Sequence, residues 1–223
     1  ISKDVAAEYE HPILLALVNG KLKELRKIPK DGDEVDFVTM DSENGIRTYR
    51  RGMILVFMKA LYKVLGTKGL EKVRIEHTIG NGIYGELEGE VQADAETLAL
   101  VKQEMERIVA ADIPFDKKVV NTEDACRIFR EHRMFEKEKL FGYRRVSKTN
   151  IYSLGGFEDY FYGYMPASTG VLKLFDLFPY DKGFILLVAA GLAFVFLPFL
   201  NLWFAGLEKW QAGGERKELS ART

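Results

Sequence analysis

The stretch Val73-Arg-Ile-Glu-His-Thr-Ile-Gly-Asn-Gly-Ile-Tyr-Gly-Glu-Leu-Glu-Gly-Glu-Val91 has two incompatible readings, and the choice between them sets the fold. Gly80, Gly82 and Gly85 stand in the G-x-G-x-x-G spacing of a dinucleotide-binding turn, which needs a helix N-terminus aimed at the pyrophosphate. Residues 86–91 instead alternate apolar with acidic or glycine, and acids there repel phosphate. Alternation on both sides of Gly80-Asn-Gly82 makes this a β-hairpin, and the chain is not a nucleotide-binding βαβ protein.

Working outward, the segments do not alternate strand and helix regularly. Upstream, Ile13–Val18 is an apolar run closed by Asn19-Gly20, and Lys21–Leu25 alternates, which predicts a hairpin with a type I′ turn. Glu34–Val38 alternates as a third strand. Asp41–Gly45 reads as a turn-rich linker, and from Ile46 the apolar residues Met53, Ile54, Phe57, Met58, Leu61, Val64 and Leu65 take helical spacing, ending at Gly66. Downstream, Asp94 opens a helix over Ala95–Ala111 that Pro114 terminates. A strand at 114–120, a helix from Asn121 or Thr122 to about Arg133, and a glycine- and aromatic-rich β region from Val146 to Leu177 follow. Mixed order without repeats predicts an α+β fold of stacked layers.

From Gly183 to Gly206 no residue is charged, and Trp203 stands near one end. Its length and hydropathy predict a membrane-spanning C-terminal helix, followed by a polar tail at 207–223. The remainder is expected to be cytoplasmic, anchored by that segment. Ile1 is not a methionine and no signal-peptide pattern follows, so the chain is expected to be a piece of a longer one.

Composition closes several routes. In 223 residues, 32 Lys and Arg against 33 Asp and Glu leave a net charge of −1, so nucleic acid or anionic membrane must be held by a local patch. One cysteine, Cys126, excludes an internal disulfide, and the three histidines share no short metal-binding spacing. Among apolar helical neighbours, Cys126 reads as a buried structural thiol. No G-x-x-x-x-G-K-[ST] occurs, so no P-loop is present. Arg47, Arg50 and Arg51 cluster on the first long helix, and Arg144-Arg145 precede Tyr152, Tyr160, Tyr162 and Tyr164. Basic residues interleaved with aromatics can contact RNA phosphates and stack on bases; a solvated helix end beside an aromatic core is the plainer alternative. Asp159 is the one carboxylate of the aromatic region with catalytic potential, against a turn or capping role.

In order, Leu17-Val-Asn-Gly-Lys21, Asp33–Val38, the helix from Tyr49, Ile79–Tyr84, Ile113-Pro-Phe-Asp-Lys-Lys118, Asp159-Tyr-Phe-Tyr-Gly163 and Ser168-Thr-Gly170 resemble the editing half of threonyl-tRNA synthetases. The resemblance implies a truncated β-grasp TGS-like unit at 1–43 and a second-additional-domain-like unit at 44–182, with the hydrophobic segment at 183–206. That family's pocket uses an H-x-x-x-H pair opening the first helix and a later C-x-x-x-H pair. Here those positions fall on Tyr49 and Met53, and on Phe161 and Met165. Phenylalanine cannot coordinate a metal, tyrosine is mostly protonated at neutral pH, and a thioether suits soft copper.

An eroded pocket of this kind resembles the N-terminal half of a bacterial nucleoside kinase of the uridine kinase type. That implies a non-catalytic accessory region, with ATP and Mg²⁺ used only by a kinase domain outside this chain and no cofactor within it. The partners expected are that domain, a small ligand or RNA, and the membrane through 183–206. The alternative is an aminoacyl-tRNA editing hydrolase lacking the usual metal ligands, with Asp159 as its candidate catalytic group, working with Tyr49 around a bound water.

Overall fold

The computed structural model describes residues 2–88 and 93–188. Its order opens with a three-stranded unit: β1 (Leu15–Val18), β2 (Lys21–Glu24) and β3 (Val35–Val38), arranged β2-β1-β3 and antiparallel throughout. Asn19 and Gly20 have φ of 51° and 72°, the pair of positive values a type I′ turn demands. Across from it, the Asn19 carboxamide donates to Asp33 and accepts from the Glu34 amide, tying the hairpin to the loop before β3.

Helix α1 (Glu43–Lys72) begins earlier than the periodicity suggests, because Ser42 caps it by accepting from the Gly45 amide. The presumed linker is thus the helix's first turn. Glycine is required at 45, since a Cβ there would lie 1.7 Å from the Thr39 carbonyl oxygen. At Gly66 the backbone leaves helical geometry (φ 66°, ψ −155°), the break expected from sequence, but a further helical stretch follows to Lys72.

A four-stranded antiparallel sheet packs beneath α1 and α2 (Ala95–Ala110). It runs β4 (Val73–Ile79), β5 (Gly82–Leu87), β10 (Gly183–Val188), β9 (Phe175–Tyr180). The β4–β5 hairpin turns at Gly80, whose φ is 56°, so the hairpin reading of the opening stretch holds. Asp94 caps α2 by accepting from the Thr97 amide.

The third sheet orders β6 (Phe115–Asn121), β7 (Lys148–Leu154) and β8 (Phe157–Asp159), and carries α3 (Thr122–Glu131) and α4 (Phe135–Gly142). The glycine- and aromatic-rich region is therefore only partly β. Residues 160–174 form a loop with one turn of 3-10 helix at Thr169–Val171, because Pro166 and the positive φ of Gly163 (119°) interrupt pairing.

The reading of 183–206 as one membrane-spanning helix needs correction at its start. Gly183–Val188 is a central sheet strand, bonded to β5 on one side and β9 on the other, and Phe184 is fully buried against Phe57. An apolar run buried on both faces of a sheet looks the same as a membrane segment until its partners are known. No helix among the described residues is long and apolar enough to cross a membrane; 189–206 and the tail at 207–223 lie outside those residues.

Candidate functional site

The buried face of α1 carries Tyr49 and Met53 one turn apart, both with no solvent exposure. Facing it runs the 160–174 loop. Arg51 binds that loop through Nε to the Tyr164 carbonyl (2.9 Å), and its Nη2 donates to the Thr48 hydroxyl at 3.0 Å. A Cβ on Gly52 would lie 2.9 Å from the Pro166 ring, so helix and loop approach as closely as glycine allows. The Tyr49 hydroxyl oxygen accepts from the Leu174 amide (2.7 Å) and faces the Leu174 carbonyl at 3.4 Å. Burial pushes the Tyr49 phenol well above its ordinary value, so it is not a proton acceptor near neutrality.

On the loop, Met165 is 1% exposed and Phe161 is half-buried. The two pairs thus lie on facing segments, α1 and the loop, and three of the four side chains are core. A cleft of about 1020 Å³ opens elsewhere, lined by Arg26, Asp112, Ser168 and Phe175 among others, and none of the four borders it. Thioethers, a phenol and a phenyl ring are an unsuitable set for zinc, so these four positions do not fit a hydrolytic metal. Among the described residues no three of His, Cys, Asp and Glu converge.

Asp159 ends β8 and is fully buried. Both its oxygens lie 2.6 Å from Lys137 Nζ, and its Oδ1 also accepts from the Tyr160 amide. Lys137, on α4, also stands 5.8 Å from the centre of the Phe161 ring. The carboxylate is therefore committed to a structural ion pair beside the pocket position, and no hydrogen bond joins it to Tyr49 among the described residues. Neither Lys137 nor its helix stood out in the sequence.

The other motif residues are structural. Thr169 donates to the Ile108 carbonyl and accepts from the Ile113 amide, and Gly170 donates its amide to Asp112. A Cβ at Gly170 would come 2.3 Å from the Asp112 carboxylate, so the Ser168-Thr-Gly170 turn is a dock for the loop on the end of α2. The three arginines do not share a role. Arg47 pairs with Glu43, Arg50 donates to the Gly80 carbonyl, and Arg51 holds the loop. Arg144 lies 5.0 Å from the Phe141 and Tyr160 rings, while Tyr162 is 85% exposed. Cys126 is half-buried, with its sulfur 3.9 Å from the Glu138 carbonyl.

Glu24, at the end of β2, was missed by sequence reading. It is 9% exposed, and its Oε1 accepts from the Tyr152 hydroxyl (2.5 Å) and the Met165 amide (3.2 Å). Burial first, then the Glu24 carboxylate beside it, push the Tyr152 phenol far up. A signal existed: in Lys21-Leu-Lys-Glu24 the carboxylate shares parity with Leu22, the inward side of the strand.

No family model matches the chain. Curated relatives do. The threonine–tRNA ligase of Thermotoga maritima is 29% identical over 163 residues, 73% of this chain and 25% of the relative. Those of Fusobacterium nucleatum (28% over 179 residues) and Carboxydothermus hydrogenoformans (25% over 178) each cover 79% of the chain and 28% of themselves. The chain thus spans about a quarter of the length of the relatives it matches. These similarities support a threonyl-tRNA-synthetase-like, editing-type domain.

Proposed function

We propose that this chain is a non-hydrolytic module built on an editing-type fold, keeping the scaffold that faces an aminoacyl-tRNA end while its own side chains fill the pocket. One observation carries the reading: at the four positions where the resemblance implies ligands stand Tyr49, Met53, Phe161 and Met165, three of them without meaningful exposure. A fold can persist after its chemistry is gone. The partner this reading implies is tRNA, as for the ligases it is similar to. The nucleoside-kinase connection draws nothing from those relatives, none of which is a kinase, and rests on the eroded pocket alone.

The purified chain should carry no stoichiometric zinc and should leave seryl-tRNA to decay at its spontaneous rate. Stoichiometric zinc together with measurable deacylation defeats the proposal. A second reading, metal-independent hydrolysis through Asp159, is favoured by the similarity to tRNA ligases. It requires the Lys137 pair to open, and deacylation that survives Asp159→Asn removes it.

A further inference from the structure

We propose that the N-terminal hairpin is a latch that holds the pocket-rim loop shut, with Glu24 as its catch. The inference rests on reading Phe161–Met165 as the rim of the former pocket. A carboxylate facing inward from a strand needs partners in the protein, because a buried charge without them is strongly unfavourable. Glu24 finds them outside its own sheet. Its hydrogen-bond donors are the Tyr152 hydroxyl on β7 and the amide of Met165, 141 residues away along the chain. Arg26 Nε and Lys117 Nζ lie at 3.7 Å, one from each carboxylate oxygen, and supply its counter-charge.

The same small group contacts every residue from 163 to 165 and holds the last two by hydrogen bonds, since the single Tyr152 hydroxyl hydrogen goes to Glu24. The Tyr152 hydroxyl lies 2.7 Å from the Gly163 carbonyl, Arg51 takes the Tyr164 carbonyl from the α1 side, and Glu24 takes the Met165 amide. Lys117 Nζ bridges the cluster, 5.3 Å from the Tyr152 ring centre and 5.8 Å from that of Tyr164. A Cβ on Gly163 would meet the Arg51 guanidinium at 2.8 Å, so the segment cannot settle deeper. Of these grips, only Glu24 comes from the N-terminal hairpin. The hairpin therefore contributes a separable hold on the rim, and displacing it would uncover the buried Met165 and, on the facing helix, Met53. Segments held by few polar ties open at a lower free energy than the whole domain unfolds, so loss of one charged tie shows locally first.

The six methionines, all buried, provide the readout in the full chain. Glu24→Gln keeps the shape and removes the charge. Tyr152→Phe keeps the ring and removes the donor, and serves if the first variant does not fold. Under dilute peroxide, with peptide mapping, Met165 and Met53 should oxidise about tenfold faster in either variant, and the amides of 163–165 should exchange faster by a similar factor. Met134, 4% exposed and in the turn between α3 and α4, should keep its rate. Unchanged rates at Met165 in both variants overturn the latch, as does an equal rise at all six methionines, which means that Glu24 merely supports the whole fold. Neither result touches deacylation, so the latch and the non-hydrolytic reading fail independently.

Discussion

Replacing Lys137 with methionine lowers the unfolding free energy by about 3 kcal/mol, the low end of what removing one partner of a buried ion pair costs. Asp159 has no exposed surface, and both its oxygens lean on the lysine ammonium. Without it, one amide hydrogen bond from Tyr160 is left to a buried charge. The lysine side chain keeps 33% of its surface, so water entering from that side holds the loss near this lower bound. Adding Asp159→Asn should recover most of the loss, because the amide oxygen still accepts from Tyr160 and no charge is stranded. Urea unfolding of the two variants measures it. A single variant as stable as the parent means that Asp159 is not held by Lys137, and the carboxylate regains standing as a catalytic candidate.

Phe184→Ala should cost about 3–5 kcal/mol, the usual effect of emptying a phenylalanine site in a core. Its ring is fully buried, 4.9 Å from that of Phe57, and Gly85 opposite it lacks a Cβ that would otherwise stand 2.6 Å from the ring. This substitution separates two assignments of the same residues. A strand at the centre of a sheet cannot lose its largest side chain quietly, whereas the first turn of a membrane helix would leave the stability of 2–182 untouched. Thermal unfolding unchanged by Phe184→Ala contradicts β10.

The sequence speaks clearly where a local rule needs a particular residue. Asn19-Gly20 specifies a turn, Asp94 a cap, Gly66 a break and Gly80 a hairpin, and each appears where its chemistry puts it. It is silent where structure comes from distant partners. Helix α4 has no side-chain cap and buries only Phe141, which packs on Phe129 and Tyr160 from other elements. Strand β10 runs straight on into the apolar stretch beyond it, so hydropathy gives it no end. At the candidate site, the residue identities were legible, but what they do was not. Asp159 stood out as a lone carboxylate, and only the fold supplies Lys137. Arg51 looked like a phosphate contact and is a loop anchor. Glu24 carried a parity signal too slight to read against one short strand.

On the proposed reading, Tyr49, Met53, Phe161 and Met165 occupy the positions that hold ligands in an editing-type scaffold. Restoring histidine at 49, 53 and 165 and cysteine at 161 in one variant, then titrating with Co²⁺, tests it most directly. The visible absorption of a tetrahedral site with nitrogen and sulfur ligands should appear at one metal per chain, and the parent should show none. A folded variant that binds no cobalt would mean that the four positions do not converge and that the pocket was never there to be closed.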